Sequence, residues 1–376
     1  MSKRLDGQGT IRQRADGRWE AMLTYLDANG ARKRISFYGR TAEAALAKLD
    51  AGRDRAGRQE PVKDSVQRFS TYVDHWITAV LEPGDKKPTT IDQNRGLARN
   101  HVIPALGAKP IGQVLPSDIT AMLARMKRAG LSDSTRKSVF LVTRVILSSA
   151  VVDGLIAVNP ATKLTTPKVH REEAVYLTPD ESRLLVANLD GLRYEAAVRL
   201  MLATGMRRGE VAGLDWADVD IANGSLRVRR TVGRVGGELV ASTPKTEKSR
   251  RSIPLGSSTV EVLKSHRAAQ AAERLKAGEL WQDCGRVFVT EFGGPIEPRN
   301  LLRTVEIAAR KAGITATAHA LRHAAGSAMV AAGHSLPTVR DILGHSSVSI
   351  TGDIYSHPTE AAARAAVDGW ADQLGI

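Results

Sequence analysis

Arg207, Lys245, His319, Arg322, His345 and Tyr355 follow one another through the second half of a 376-residue chain. Two arginines, a lysine and two histidines can grip a phosphate and move protons around it, and a tyrosine hydroxyl can attack it. Such a set needs no acidic pair to hold a metal. The chemistry it points to is the cutting and rejoining of DNA through a protein–phosphate bond.

Local sequence says how each group is carried. Thr204-Gly205-Met206-Arg207-Arg208-Gly209-Glu210 lies between two helical stretches. Gly205 ends the first, and Arg207 falls at the junction, where it can project a guanidinium with Glu210 near enough to hold it. The same pattern also suits an ordinary Arg–Glu surface pair. Pro244-Lys245-Thr246 sits in a turn between strands. A lysine there can reach a leaving oxygen, or it can be one solvated loop lysine beside Lys248, Arg250 and Arg251.

His319-Ala320-Leu321-Arg322-His323 opens a helix that continues through residue 330. The two histidines, four apart, raise the question of a metal. A zinc-protease helix needs Glu directly after its first histidine, and Ala320 stands there, so no metal site is expected. His319 and Arg322, three apart, instead share a face that pairs a proton carrier with a phosphate clamp. Leu343-Gly344-His345 ends another helix at its glycine. Residues 346–354 are expected to form a short helix, with Tyr355 near its end, either exposed or packed by its ring.

Composition agrees with a polyanionic partner. Lys and Arg number 54 against 40 Asp and Glu, a net charge of +14, with a pI near 10.1. A hydrophobic fraction of 42% and the length allow two or three domains. The single cysteine, Cys284, excludes an intrachain disulfide and a Cys-rich zinc site. No apolar run is long enough to span a bilayer, and the N-terminus lacks the apolar core of a signal peptide. An intracellular location is expected.

The positioning elements read as mainly α with small β-sheets. Residues 1–58 suggest three strands (9–14, 19–25, 31–37) and a helix capped by Thr41 and stopping near Gly52. Arg12, Arg14, Arg32 and Arg34 would give that sheet a basic face for DNA, or merely a solvated one. Residues 53–64 read as a linker and 65–160 as a helical domain. Within it Phe69, Tyr72, Val73, Trp76 and Ile77 recur at helical spacing, and Pro88-Thr89-Thr90 leads into a helix to about residue 101. Ser117 is expected to cap a further helix, and residues 132–152 form the last. Arg136, Lys137 and Arg144 on that helix could touch phosphates or face water. A second linker spans 159–173.

Residues 174–376 read as a helical domain with a three-stranded β insertion. Thr178-Pro179-Asp180-Glu181 starts its first helix. Residues 225–231 form one strand, Gly236-Gly237 turns the chain, and 238–242 and 252–255 complete the sheet. A terminal helix carries Ala363, Ala366, Val367, Trp370 and Leu374. It is expected to dock on a neighbouring subunit or on its own domain.

These segments, in this order, resemble the tyrosine recombinase (phage integrase) family. The resemblance is strong over 174–360 and extends over 65–160 to that family's helical core-binding domain. Residues 1–58 look like the arm-binding sheet of integrases that recognise two kinds of DNA site. The resemblance implies that Arg207, Arg322 and His345 bind the scissile phosphate and that Tyr355 forms a 3′-phosphotyrosyl link. It implies that Lys245 protonates the leaving 5′ oxygen, His319 assists proton transfer and Glu210 supports the arginines.

It further implies double-stranded attachment-site DNA as substrate, a homotetramer on DNA and no cofactor, metal or ATP. A directionality factor and a host DNA-bending protein are family partners, and the place of action is the bacterial cytoplasm, on the nucleoid. The leading expectation is an integrase of a phage or other mobile element. A resolvase of chromosome or plasmid dimers, a type IB topoisomerase and a catalytically inactive DNA-binding relative are the alternatives. The sheet at 1–58 and the complete residue set favour the integrase.

Overall fold

The computed structural model describes residues 10–26, 31–58, 60–170, 177–243 and 250–344, together with Ser347, Arg364 and Asp368. It divides into two compact units, Met1–His170 and Arg171–Ile376.

The first unit begins with β1 (Thr10–Gln13), β2 (Trp19–Leu26) and β3 (Arg32–Gly39), an antiparallel sheet in chain order. Alternation sends Ala21, Leu23 and Phe37 to one face, where Ala45 and Leu49 of α1 (Ala42–Gly57) cover them. Thr41 caps α1 by accepting from the Ala44 amide at 3.2 Å. The helix does not stop at Gly52. That glycine is buried, and a Cβ on it would stand 2.5 Å from the Phe37 ring and 3.2 Å from Val62. Glycine here makes room for a ring. The segment 53–64 is accordingly no loose linker: α1 runs through its first part, Val62 joins the core, and Arg55 pairs with Asp64 at 2.9 Å.

Next come α2 (Phe69–Trp76), α3 (Pro88–Leu97), α4 (Ile103–Leu106), α5 (Pro116–Arg128) and α6 (Asp133–Val152), with π-helical turns at Ile77–Leu81 and Ala98–Val102. Phe69, Tyr72, Val73, Trp76 and Ile77 are all buried in one core with Phe140 and Ile146. Ser117 does not cap α5. It already lies inside the helix, and Asp118 reaches back to accept from the Leu115 amide at 2.9 Å. Ser132 does cap α6. The chain from 159 is also part of this core: Asn159 donates to the Arg144 carbonyl at 2.9 Å, and Ala161 is buried.

The second unit contains α7 (Pro179–Ala187), α8 (Glu195–Thr204), α9 (Arg208–Ala212), β4 (Val219–Asp220), β5 (Ser225–Val228), β6 (Thr231–Val235), β7 (Glu238–Ser242), β8 (Arg251–Pro254), α10 (Ser257–Ala277), α11 (Pro298–Ala312), α12 (Ala318–Ala331) and α13 (Leu336–Leu343). Thr178 and Glu181 cap α7 reciprocally, at 3.1 and 2.8 Å.

A three-stranded sheet is present, in the order β4-β5-β8, while β6 and β7 form a separate hairpin. The apolar alternation at 225–231 therefore splits in two. Arg229 and Arg230 cause the break: Arg229 pairs with Asp218 at 3.0 Å and Arg230 with Asp215, which turns the chain out of the first sheet. Among the described residues, no helix is long and apolar enough to cross a membrane.

Candidate functional site

Residues brought from four places in the second unit meet where α8, α9, α12 and α13 end or begin. Gly205 closes α8 in the left-handed region, with φ +65°. A Cβ there would lie 2.3 Å from Leu343 and 3.4 Å from Ala325, so only glycine fits both the conformation and the space. Two residues later Arg207 occupies the N-cap of α9. It has no hydroxyl to cap the helix, so Glu210 reaches back and accepts from its amide at 3.0 Å. The same carboxylate accepts from Arg207 Nη1 at 2.9 Å.

Arg322 reaches this point from α12. Its side chain is almost fully buried, and Nη1 donates to the Gly205 carbonyl at 2.8 Å. Thr317 caps α12 by accepting from the Ala320 amide, which sets His319 in the first turn. Arg207, His319 and Arg322 together line one cavity of about 420 Å³, with Arg208, Thr317 and Glu306. The Arg207 side chain is 42% exposed and so is open to a ligand, whereas Glu210 beneath it is 3% exposed. Gly344 ends α13 with φ +69°, and its carbonyl accepts from Arg207 Nη2 at 3.4 Å. His345 is the next residue in the chain. His345, Lys245 and Tyr355 lie outside the described residues.

The electrostatics favour anions. Burial pushes the Glu210 carboxyl upward, but Arg251 and then Arg207 outweigh it and hold the group below its ordinary value. Glu210 is therefore an anion at neutral pH. Partial enclosure of the His319 ring, then Arg322 and Arg207, hold that imidazole below the ordinary histidine value. His319 remains solvent-exposed, which limits the effect. His323 is buried one turn along, its ring edge-on to that of His319 at 4.4 Å. Burial, His319 and Arg322 push it down to about 4. Both rings are neutral at pH 7, so the positive charge at the cavity comes from guanidiniums.

Arg251 is the partner that sequence reasoning missed. It reads as one more cation in a basic loop, but it starts β8 with its side chain 6% exposed. Its guanidinium forks onto Glu210, Nη2 to Oε2 at 3.0 Å and Nη1 to Oε1 at 3.3 Å, and Nε donates to the Ile342 carbonyl at 2.5 Å. Its contacts lie 41 and 91 residues away, so no local spacing could signal them. Arg227, Arg229 and Arg250 line a second cleft, of about 520 Å³, beside it. A further cavity of about 740 Å³ between α7, α8, α10 and α12 is mainly apolar, with Leu177, Val186, Leu202 and Val262 in its wall, and Arg183, Asp190 and Arg199 also line it.

In the first unit, Arg12, Arg32 and Arg34 stand on or beside the uncovered face of the sheet. Arg12 is tied to Glu20 at 2.8 Å, Arg34 contacts the Met22 sulfur, and Arg14 stacks over the Tyr38 ring. Arg136 is paired with Asp133 along its own helix, while Lys137 and Arg144 are exposed.

Comparison with known proteins bears on all of this. Residues 175–362 match the phage integrase family model, and residues 69–166 match that of the phage integrase central domain. A XerC-like tyrosine recombinase of Caldanaerobacter subterraneus subsp. tengcongensis is 31% identical over 353 residues, 88% of this chain and 90% of that protein. The integrase of the transposon Tn1549, solved with a circular intermediate DNA, superposes with a TM-score of 0.67 at 23% identity, over 81% of this chain and 99% of that one. A lambda integrase tetramer bound to a Holliday junction gives 0.59 at 18% identity, over 94% and 97%. The two structures share this fold of helices with small antiparallel sheets, and the sequence matches carry the kinship. The chain belongs to the phage integrase family and is a site-specific tyrosine recombinase.

Proposed function

We propose that this recombinase integrates, and also excises, a mobile element by cutting attachment-site DNA with Tyr355. The Tyr355 oxygen attacks phosphorus, a 3′-phosphotyrosyl bond forms, and the bond from phosphorus to the 5′ oxygen breaks. Lys245 gives that oxygen a proton, releasing a 5′ hydroxyl. A free tyrosine has a pKa of ~10, so it needs a base or a positive field to react at neutral pH. His319, held neutral, suits the uptake of a proton, and Arg207, Arg322 and His345 hold the phosphate's charge. The observation that carries this reading is the single cavity lined by Arg207, Arg322 and His319. Guanidiniums fixed by buried partners are preorganised for the charge that builds in the transition state. They can stand in for the metal ions other phosphoryl-transfer enzymes use.

The phosphotyrosyl bond conserves the phosphodiester's energy, so a second strand's 5′ hydroxyl can reverse the step without ATP. Exchanging two duplexes needs four cleavages, hence four subunits on DNA. Residues 1–58 form the arm-type DNA-binding domain, 65–160 the core-binding domain and 174–376 the catalytic domain. The integrase reading rests on the N-terminal sheet with its arginines and on the integrases among the structural neighbours. A directionality factor and a host DNA-bending protein complete the expected partners, and the work is done in the bacterial cytoplasm.

The test is a nicked suicide substrate that traps the intermediate. Wild type should form a covalent protein–DNA adduct and Tyr355→Phe none, with DNA affinity unchanged. Tight binding by wild type with no adduct on its own site would make the protein a binder instead.

A further inference from the structure

Glu210 is shared by two arginines, and they hold it differently. Arg251 takes both oxygens in a fork, from a side chain that is 6% exposed. Arg207 gives Glu210 one guanidinium nitrogen and its main-chain amide, turns a second nitrogen to the Gly344 carbonyl at 3.4 Å, and keeps a side chain that is 42% exposed and lines the cavity. An isolated Arg–Glu pair is neutral, and a DNA phosphate would have to compete with the carboxylate for the guanidinium. Two guanidiniums on one buried carboxylate leave a net charge of one positive unit. The surplus resides on the more exposed partner, because Arg251 is enclosed.

Arg251 also binds the other side of the site. Its Nε holds the Ile342 carbonyl in the last turn of α13, and Gly344 packs on its guanidinium so closely that a Cβ would sit 3.0 Å from Nη1. The carbonyl of that same Gly344 accepts from Arg207. One guanidinium therefore fixes both the acid beneath Arg207 and the end of the helix beside it.

We infer that Arg251 is a positioning residue for strand cleavage: it neutralises Glu210 and anchors the end of α13, so that Arg207 keeps its positive charge for the DNA phosphate. It touches no substrate. This rests on the phosphate-binding role given above to Arg207.

The test is a mutant cycle on the full chain, read as the rate of adduct formation on the suicide substrate at a temperature where circular dichroism shows each variant folded. Arg251→Met should lower the rate by about tenfold or more, with DNA affinity kept. Adding Glu210→Gln removes the anion that Arg251 neutralised. The double variant Glu210→Gln/Arg251→Met should therefore cleave faster than Arg251→Met alone. Arg251→Lys, which restores the charge, should also exceed Arg251→Met. If Arg251→Met does not fold, Arg251→Gln takes its place in every comparison. A smaller loss, or a double variant no faster than the single one, overturns the inference. Because the variants are folded when assayed, a rescue of stability cannot mimic the rescue of rate. No adduct from wild type would instead strike the phosphate-cleavage reading itself.

Discussion

His323 stands where an extra positive charge costs most. It is buried, edge-on to His319 and close to Arg322, and its pKa is pushed down to about 4. In the unfolded chain a histidine titrates near ~6.5. The unfolded state therefore takes up a proton first as pH falls, and the folded state loses ground. Stability from the neutral ring is complete above about pH 6.5 and drains away as the pH drops toward 4. Urea midpoints at about pH 7.5 and about pH 5 should separate more for wild type than for His323→Gln, which has no proton to gain. Equal separations would mean that His323 titrates normally.

At the scale of elements, the site depends on where helices stop. Gly205 ends α8 in a left-handed conformation with Leu343 pressed against it. Gly205→Ala combines the left-handed penalty with overpacking, together about 2–5 kcal/mol. Denaturation should show that loss, and adduct formation should fall with it, since Arg322 is anchored on the Gly205 carbonyl. This stop, the Arg207 junction and the Thr41 and Thr178 caps were legible in the sequence because helix ends are decided by a few neighbouring residues. Gly52 misled for the same reason. It looks like a stop, but its role is to admit the Phe37 ring from another element. The β insertion was legible as strands but not as pairings, because the break at Arg229 and Arg230 depends on Asp218 and Asp215 folding back. Arg251 was hidden by its basic neighbours.

The whole molecule carries a net charge of +14. Binding to DNA should release counterions, with log affinity falling by about 0.9 per phosphate contact for each unit of log salt. If the exposed face of the N-terminal sheet meets DNA, Arg32→Gln and Arg34→Gln should each lower that slope by about one unit on a full attachment site. Unchanged slopes would leave those arginines as solvated edge residues. Salt titration followed by fluorescence anisotropy measures it directly.

The carboxylate of Glu210 also bears on the order in which the protein comes into being. The two arginines that hold it join distant parts of the chain: Arg251 lies 41 residues beyond Glu210 and donates to Ile342, 91 residues further on, while Arg207 donates to Gly344, 137 residues after it. Contacts of such separation form late, after the intervening chain is in place. A chain still on the ribosome can fold its first unit, sheet and helices included, while the arginine clamp has no floor to rest on. The arrangement of arginines around Glu210 is thus completed only once residue 344 has been made.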